Sequence, residues 1–190
     1  MSYGVTIIIP IFNEIKYLEI CLESIIKGSK KFNDFEILLI DGGSTDGTIE
    51  LISKLTNKYD NISYLNNPNK YAPSAMNIGI QNSSCDYIVR LDAHAVYPSL
   101  YIEKLIRILK ESDDNVANVG GSIITKPLHE NLVAISISSV LSSKFGVGNS
   151  NFRTRIPKKA IEVDTVPFGC YKKSALLKVG MYNELEIRGE

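Results

Sequence analysis

Five short stretches rich in apolar residues recur in the first two-thirds of the chain, at residues 5–9, 35–40, 62–65, 87–91 and 116–124, the first of them a continuous β-branched run. A continuous run of that kind suits a strand covered on both faces, as in a parallel sheet; a strand with one wet face alternates instead. Between them lie apolar residues at helical spacing: Leu18, Cys21, Leu22, Ile25 and Ile26, then Ile52, Leu55 and Tyr59, then Met76 and Ile80, then Leu105, Ile108 and Leu109. Asn13 is placed to cap the first of these helices, Gly28 to stop it, and Pro73 and Pro98 to open the third and fourth. Strand and helix alternating through short links predict an α/β fold built on a doubly wound, mainly parallel sheet.

The alternation fails after Pro127. Residues 131–143 predict a helix, 146–157 a polar, glycine-containing loop, 162–166 a strand and 173–179 a short helix. The expected organisation is one domain over residues 1–190, with a nucleotide-binding half at 1–125 and an acceptor-side half at 126–190. A chain of 190 residues is long enough for one α/β core. Its 21 Lys and Arg residues balance 21 Asp and Glu residues, so the broad basic face required by nucleic acid is absent and an anionic ligand has to be met locally. Cys21, Cys85 and Cys170 are odd in number and lack metal-type spacing, which points to reduced thiols in a cytoplasmic setting. The first strand follows within a few residues of Met1, so no secretory leader is expected. No apolar run approaches the roughly 20 residues that span a bilayer.

Open α/β sheets take ligands at the carboxyl ends of their strands. The residues just past each run are therefore the candidates. Past the fourth comes Asp92-Ala-His94, a carboxylate and an imidazole two positions apart that suit one divalent cation, and through it a diphosphate; the alternative is a capped turn with a surface histidine. Past the first comes Pro10-Ile-Phe12-Asn-Glu14, where Phe12 either stacks on a base or belongs to the core. Past the second comes Asp41-Gly-Gly-Ser-Thr-Asp46-Gly-Thr, a turn in which Asp41 can accept a hydrogen bond from a base or ribose and Asp46 caps the next helix. Neither a G-x-G-x-x-G fingerprint nor a Walker A sequence is present, which argues against dehydrogenases and nucleoside triphosphatases. Asn77 and Gly79 lie inside a helix, where Gly79 suggests close approach to the sheet and Asn77 either faces the cleft or is structural. Arg153, Arg155, Lys158 and Lys159 either meet phosphate or decorate a solvated loop. Gly169 leaves room for a sugar near the backbone, and carboxylates crowd the last residues, ending at Glu190.

Taken in order, these stretches resemble family 2 of the inverting glycosyltransferases, which have the GT-A fold. Residues 5–14 are similar to that family's first strand and base-binding edge, and residues 40–48 to its second strand end. Ala75-Met-Asn77-Ile-Gly79 is similar to its A-x-N-x-G helix, and Asp92-Ala-His94 stands where its D-x-D metal motif stands. Residues 166–169 and 180–184 resemble its acceptor-side pattern. The R-L-D-A-H-A and V-D-T-V-P-F-G stretches resemble exopolysaccharide transferases of the succinoglycan type. The resemblance implies transfer of a sugar from a nucleotide-sugar, UDP-linked, to a glycan or lipid-linked acceptor. Pro10, Phe12, Glu14, Asp41, Asn77 and Asp92 would hold the nucleotide, Gly169 the sugar, and Asp92 with His94 a divalent cation. His94 in place of the second aspartate favours Mn2+ over Mg2+. Glu190 would be the neighbour of the catalytic base, an aspartate expected at the next position, so the chain as it stands is expected to bind donor and transfer poorly. Membrane association, which some relatives have, would come through helices beyond residue 190, at the inner face of the membrane. Rival expectations are a non-catalytic nucleotide-sugar-binding domain and a sugar-nucleotide pyrophosphorylase, although the latter's glycine-rich, arginine-containing loop does not follow the first strand.

Overall fold

The computed structural model describes residues 4–29, 35–127, 129–148, 150–154, 156–157, 159–163 and 165–185. It divides into two compact units, Met1–Val119 with Phe168–Glu190, and Gly120–Pro167.

The first unit is a six-stranded sheet ordered β3-β2-β1-β4-β6-β5. The strands are β1 (Val5–Ile11), β2 (Phe35–Asp41), β3 (Ile62–Asn66), β4 (Tyr87–Arg90), β5 (Asn118–Val119) and β6 (Cys170–Lys172). The first four are mutually parallel, while β6 is antiparallel to both β4 and β5. Around them lie α1 (Leu18–Gly28), α2 (Thr48–Lys58), α3 (Ala72–Asn82), α4 (Tyr101–Glu111) and, after β6, a short helix at Lys173–Lys178. Side chains divide between the two faces with the strand period of two. Val5, Ile7 and Ile9 of β1 and Ile37 and Leu39 of β2 pack with Leu18, Leu22, Ile52, Leu105 and Leu109 from α1, α2 and α4. Ile8, Leu38 and Ile40 face the other way, onto Ala75, Met76 and Ile80 of α3 and Leu176. Winding β1–α1–β2–α2–β3 on one face and returning through α3 to β4 on the other makes the sheet doubly wound, with its switch point between β1 and β4.

Several expectations shift. Pro10 does not end the first strand but lies within it, opposite Ile40 of β2. The β1–β4 ladder ends at Ile8 and Arg90, so the missing N–H of Pro10 removes no bond from it. Asn13 does not cap α1, which begins at Leu18 after Tyr17. The run at 116–124 contributes only Asn118–Val119. The described residues of 162–166 form no strand; the sheet takes Cys170–Lys172 instead. In the second unit, the helix expected at 131–143 is α5 (Leu132–Leu141), whose first turn is capped by Asn131 Oδ1 accepting from Ala134 N at 2.8 Å. The loop expected at 146–157 contains two short helices, α6 (Lys144–Val147) and α7 (Asn151–Thr154), which makes the short helix at Lys173–Lys178 α8. Arg155 and Lys158 lie outside the described residues. Among the described residues no helix is long and apolar enough to cross a membrane.

The interior glycine of α3 has the expected packing reason. A Cβ at Gly79 would lie 2.7 Å from both Cγ2 and Cδ1 of the fully buried Ile8. Gly79→Ala gains about 1 kcal/mol of helix propensity, but overpacking a closed core costs about 1–3 kcal/mol. The variant is expected to unfold at lower urea concentration with an unchanged denaturant slope.

Candidate functional site

The carboxyl ends of β1 and β2 are locked together by their loops. Asn13 adopts a left-handed conformation, φ 57°. Its N–H donates to Ser44 Oγ at 2.7 Å, and its Oδ1 accepts from Thr45 N at 2.8 Å. Next to it, Glu14 N donates to Thr48 Oγ1 at 2.9 Å and Ile15 N to Asp46 Oδ2 at 3.2 Å. Asp46 also accepts from Thr48 N at 3.1 Å, and its carboxyl is held below the usual range, first by the Thr48 hydroxyl. Asp41 is fully buried. Its Oδ2 accepts from Gly43 N at 2.7 Å and Ser44 N at 2.9 Å, while its Oδ1 accepts from Ser44 Oγ. Its carboxylate organises the turn from within.

The end of β4 is anchored from below. The Tyr97 hydroxyl accepts from Asp92 N at 2.8 Å and donates to Asp92 O at 3.2 Å. Burial, and next the nearby Cys21, push the Tyr97 phenol well above its ordinary range. The Cys21 thiol is pushed up to about 12, by burial first and then by Asp92 and Glu14; it is a packing residue rather than a nucleophile. This anchor leaves Asp92 and His94 facing the opening between β1 and β4. The His94 Nδ1 lies 2.8 Å from Glu14 Oε1, and Asp92 Oδ1 lies 3.7 Å from Arg90 Nη2.

An open groove of about 220 Å³ runs along these strand ends, and Pro10, Phe12, Glu14, Asp92 and His94 all line it. Five of the residues singled out from sequence thus meet, drawn from two stretches some 80 positions apart. Phe12 is 54% exposed, so it belongs to the groove wall and not to the core. Asn77 does not line the groove. Its Nδ2 donates to Tyr182 O at 2.9 Å and Glu184 Oε1 at 2.8 Å, and its Oδ1 accepts from Tyr182 N at 2.9 Å, so the whole amide clamps the 182–184 segment onto α3. Gly169 is buried, accepts from Arg90 N at 3.0 Å and also lies outside the groove lining. Glu190 lies outside the described residues. Sequence reasoning missed Asn67, Lys70, Tyr71 and Arg90, which share the groove. The first three were visible in principle, because the loop after β3 opens on the same sheet edge as the other strand ends.

The donor set limits what cation fits. Among the described residues no three His, Cys, Asp or Glu side chains converge as a protein-only metal cage requires. Asp92 and His94 supply two donors in an open groove, with Lys70 and Arg90 nearby to meet anionic oxygens. Two protein ligands completed by phosphate oxygens and water suit a cation shared with a diphosphate.

Solved structures share this architecture. Over 97% of this chain and 51% of that one, it superposes on S. aureus TarS 1-349 with a TM-score of 0.69 at 16% identity. A mannosyltransferase from Pyrobaculum calidifontis, solved with GDP-Man and Mn2+, matches 95% of this chain and 47% of its own with a TM-score of 0.68 at 17% identity. The fold is the GT-A fold of glycosyltransferases. The sequence pattern of glycosyl transferase family 2 matches residues 6–179, and the chain belongs to that family. It is 37% identical over 174 residues to a dolichyl N-acetyl-alpha-D-glucosaminyl phosphate 3-beta-D-2,3-diacetamido-2,3-dideoxy-beta-D-glucuronosyltransferase of Methanococcus voltae, covering 88% of this chain and 52% of the relative. It is 29% identical to the succinoglycan biosynthesis protein ExoA of Rhizobium meliloti, covering 78% of this chain and 44% of that protein. The chain spans about half the length of these relatives.

Tyr97→Phe tests the anchor. It leaves the Asp92 N–H without its partner, a loss of about 1–3 kcal/mol. The variant is expected to melt at lower temperature in a thermal-shift measurement.

Proposed function

We propose that the chain is the donor-binding part of an inverting glycosyltransferase that moves a sugar from a UDP-sugar to a glycan or lipid-linked acceptor in polysaccharide synthesis, of the kind that exopolysaccharide transferases of the succinoglycan type carry out. The observation that carries this reading is the groove at the switch point, where Phe12, Glu14, Asp92 and His94 converge on one open cleft. Family membership supports the reaction type. The choice of UDP is supported by TarS, whose structures include complexes with UDP and with UDP-GlcNAc. The mannosyltransferase complex with GDP-Man shows that this fold by itself does not dictate the base.

In this reading the exposed ring of Phe12 and the Pro10 edge receive the base, with Asp41 keeping the neighbouring turn in shape. Asp92 meets the ribose or joins His94 in holding a divalent cation, Mn2+ in preference to Mg2+. When bound, that cation neutralises charge developing on the departing diphosphate. Lys70 and Arg90 add fixed positive charge on the same wall. An acceptor hydroxyl then attacks the anomeric carbon from the face opposite the diphosphate. Its proton passes to a carboxylate, and a single displacement inverts the configuration.

Calorimetric titration of UDP into the protein, with and without Mn2+, is the test. Binding strengthened by Mn2+ is expected, and His94→Ala is expected to remove that dependence while leaving metal-free UDP binding in place. Absence of binding in either condition rejects the nucleotide assignment. Mn2+ dependence that survives His94→Ala rejects the metal role of His94.

A further inference from the structure

We propose that Glu14 is a positioning residue for His94: its carboxylate fixes the imidazole in the tautomer that leaves Nε2 as the ligating nitrogen. The proposal rests on the nucleotide-and-cation reading above, and it assigns Glu14 a task other than contact with the nucleotide.

The chemistry of the contact sets the tautomer. An ionised carboxylate only accepts hydrogen bonds, so the Nδ1 atom 2.8 Å from Glu14 Oε1 carries the hydrogen. In the neutral ring the lone pair then falls on Nε2. Metal-ligating histidines commonly donate their second ring N–H to a carboxylate in this way. The two side chains differ in enclosure: Glu14 retains 15% of its side-chain exposure and His94 retains 60%. A ring so open is not oriented by packing, and the carboxylate is the firm partner. Glu14 itself is held from several directions. Its N–H donates to Thr48 Oγ1, and its carbonyl accepts from Tyr17 N at 3.0 Å and Leu18 N at 2.9 Å. On the other side, Tyr97 grips the backbone of Asp92 two residues before His94. Two immobilised backbones thus meet through one side-chain pair spanning the mouth of the switch-point groove. The pair is invisible to spacing rules, because its members are 80 positions apart.

Three readouts separate this role from its rivals: Mn2+ affinity in the presence of UDP, UDP affinity without metal, and the 15N NMR pattern of the neutral His94 ring in metal-free protein. In Glu14→Ala, Mn2+ affinity is expected to fall about ten- to a hundredfold. Metal-free UDP affinity should hold, and the ring nitrogens should shift from the Nδ1–H pattern towards a tautomer mixture. Glu14→Gln should retain most of the Mn2+ affinity and the Nδ1–H pattern, since its amide oxygen can accept the same hydrogen bond. Added to His94→Ala, Glu14→Ala should cost nothing further. Unchanged Mn2+ affinity in Glu14→Ala overturns the proposal. So does a full additional loss on the His94→Ala background, which would make Glu14 a ligand itself, and so does a fall in metal-free UDP binding, which would make it a nucleotide contact. If the unaltered protein binds no Mn2+ with UDP, the nucleotide-and-cation reading fails. In that event an NMR pattern unmoved by Glu14→Ala overturns the Glu14 assignment as well, and a moved one upholds its control of the tautomer.

Discussion

The groove exists because β1 is buried on both faces between β2 and β4, and a strand in that position has to be held in register. Burial alone does not hold it, since a one-residue slip would exchange one set of isoleucines for another of similar size. The register is marked by the polar exception. Thr6 is fully buried, stands opposite Glu36 in the β1–β2 ladder, and donates its hydroxyl to the Glu36 carboxylate. The same oxygen accepts from Ser84 N at 2.8 Å, just before β4. A slip in either direction would take the fully buried Thr6 hydroxyl away from this partner, at a cost of about 1–3 kcal/mol. Burial tends to raise the Glu36 carboxyl, yet the bonds from Thr6 and Ser84 outweigh it and hold the group below its ordinary range. This contact at the amino ends of three strands aligns their carboxyl ends, where the groove residues sit.

From that aligned frame, polar residues act inward before anything acts outward. Asp41, Asp46 and Asn77 all have the chemistry of ligand contacts, and all three are used on the chain itself. Asp41 and Asp46 shape the turn after β2 and tie it to the loop after β1. Asn77 and Asn69 both reach Glu184, closing α3 against the 182–184 segment. Preorganisation of this kind is what a binding groove on loops needs, because a site an ångström too loose loses much of its affinity. The side chains that instead face the groove include Phe12, Lys70, Asp92 and His94.

The parts of this arrangement legible in the sequence are those governed by local pattern. β1, β2 and β4 were readable because a strand covered on both faces is written as a largely apolar run, and the edge strand β3 from its short apolar-rich stretch between turn residues. Helices α1 to α4 were readable from their stripes, with Ile102 and Ile106 completing the buried face of α4 and Ile108 left at its rim. The remaining strands were not. β5 has two residues and β6 three, too short for any period to register, and β6 enters antiparallel on a connection that breaks the alternation. Val163 and Val166 imitate a strand, while the ladder is made by Cys170–Lys172. At the site, clustering at strand ends was readable from topology, but the partner of each side chain was not. Nothing local tells Asn77 to turn towards Tyr182, or Glu14 to meet His94.

That last pairing also accounts for the charge of the site. A D-x-D turn of the kind this chain resembles presents two carboxylates to a cation, whereas Asp92-Ala-His94 presents one carboxylate and a neutral ring. Glu14 places a second carboxylate behind the ring, against Nδ1. A cation held there, as proposed, would meet a nitrogen donor in place of one oxygen, which suits borderline metals better than hard ones. Arg90, 3.7 Å from Asp92, draws the net charge of the wall back towards neutrality. In the proposed reading, a groove balanced in this way would hold a cation more firmly once a diphosphate brought its own negative charge.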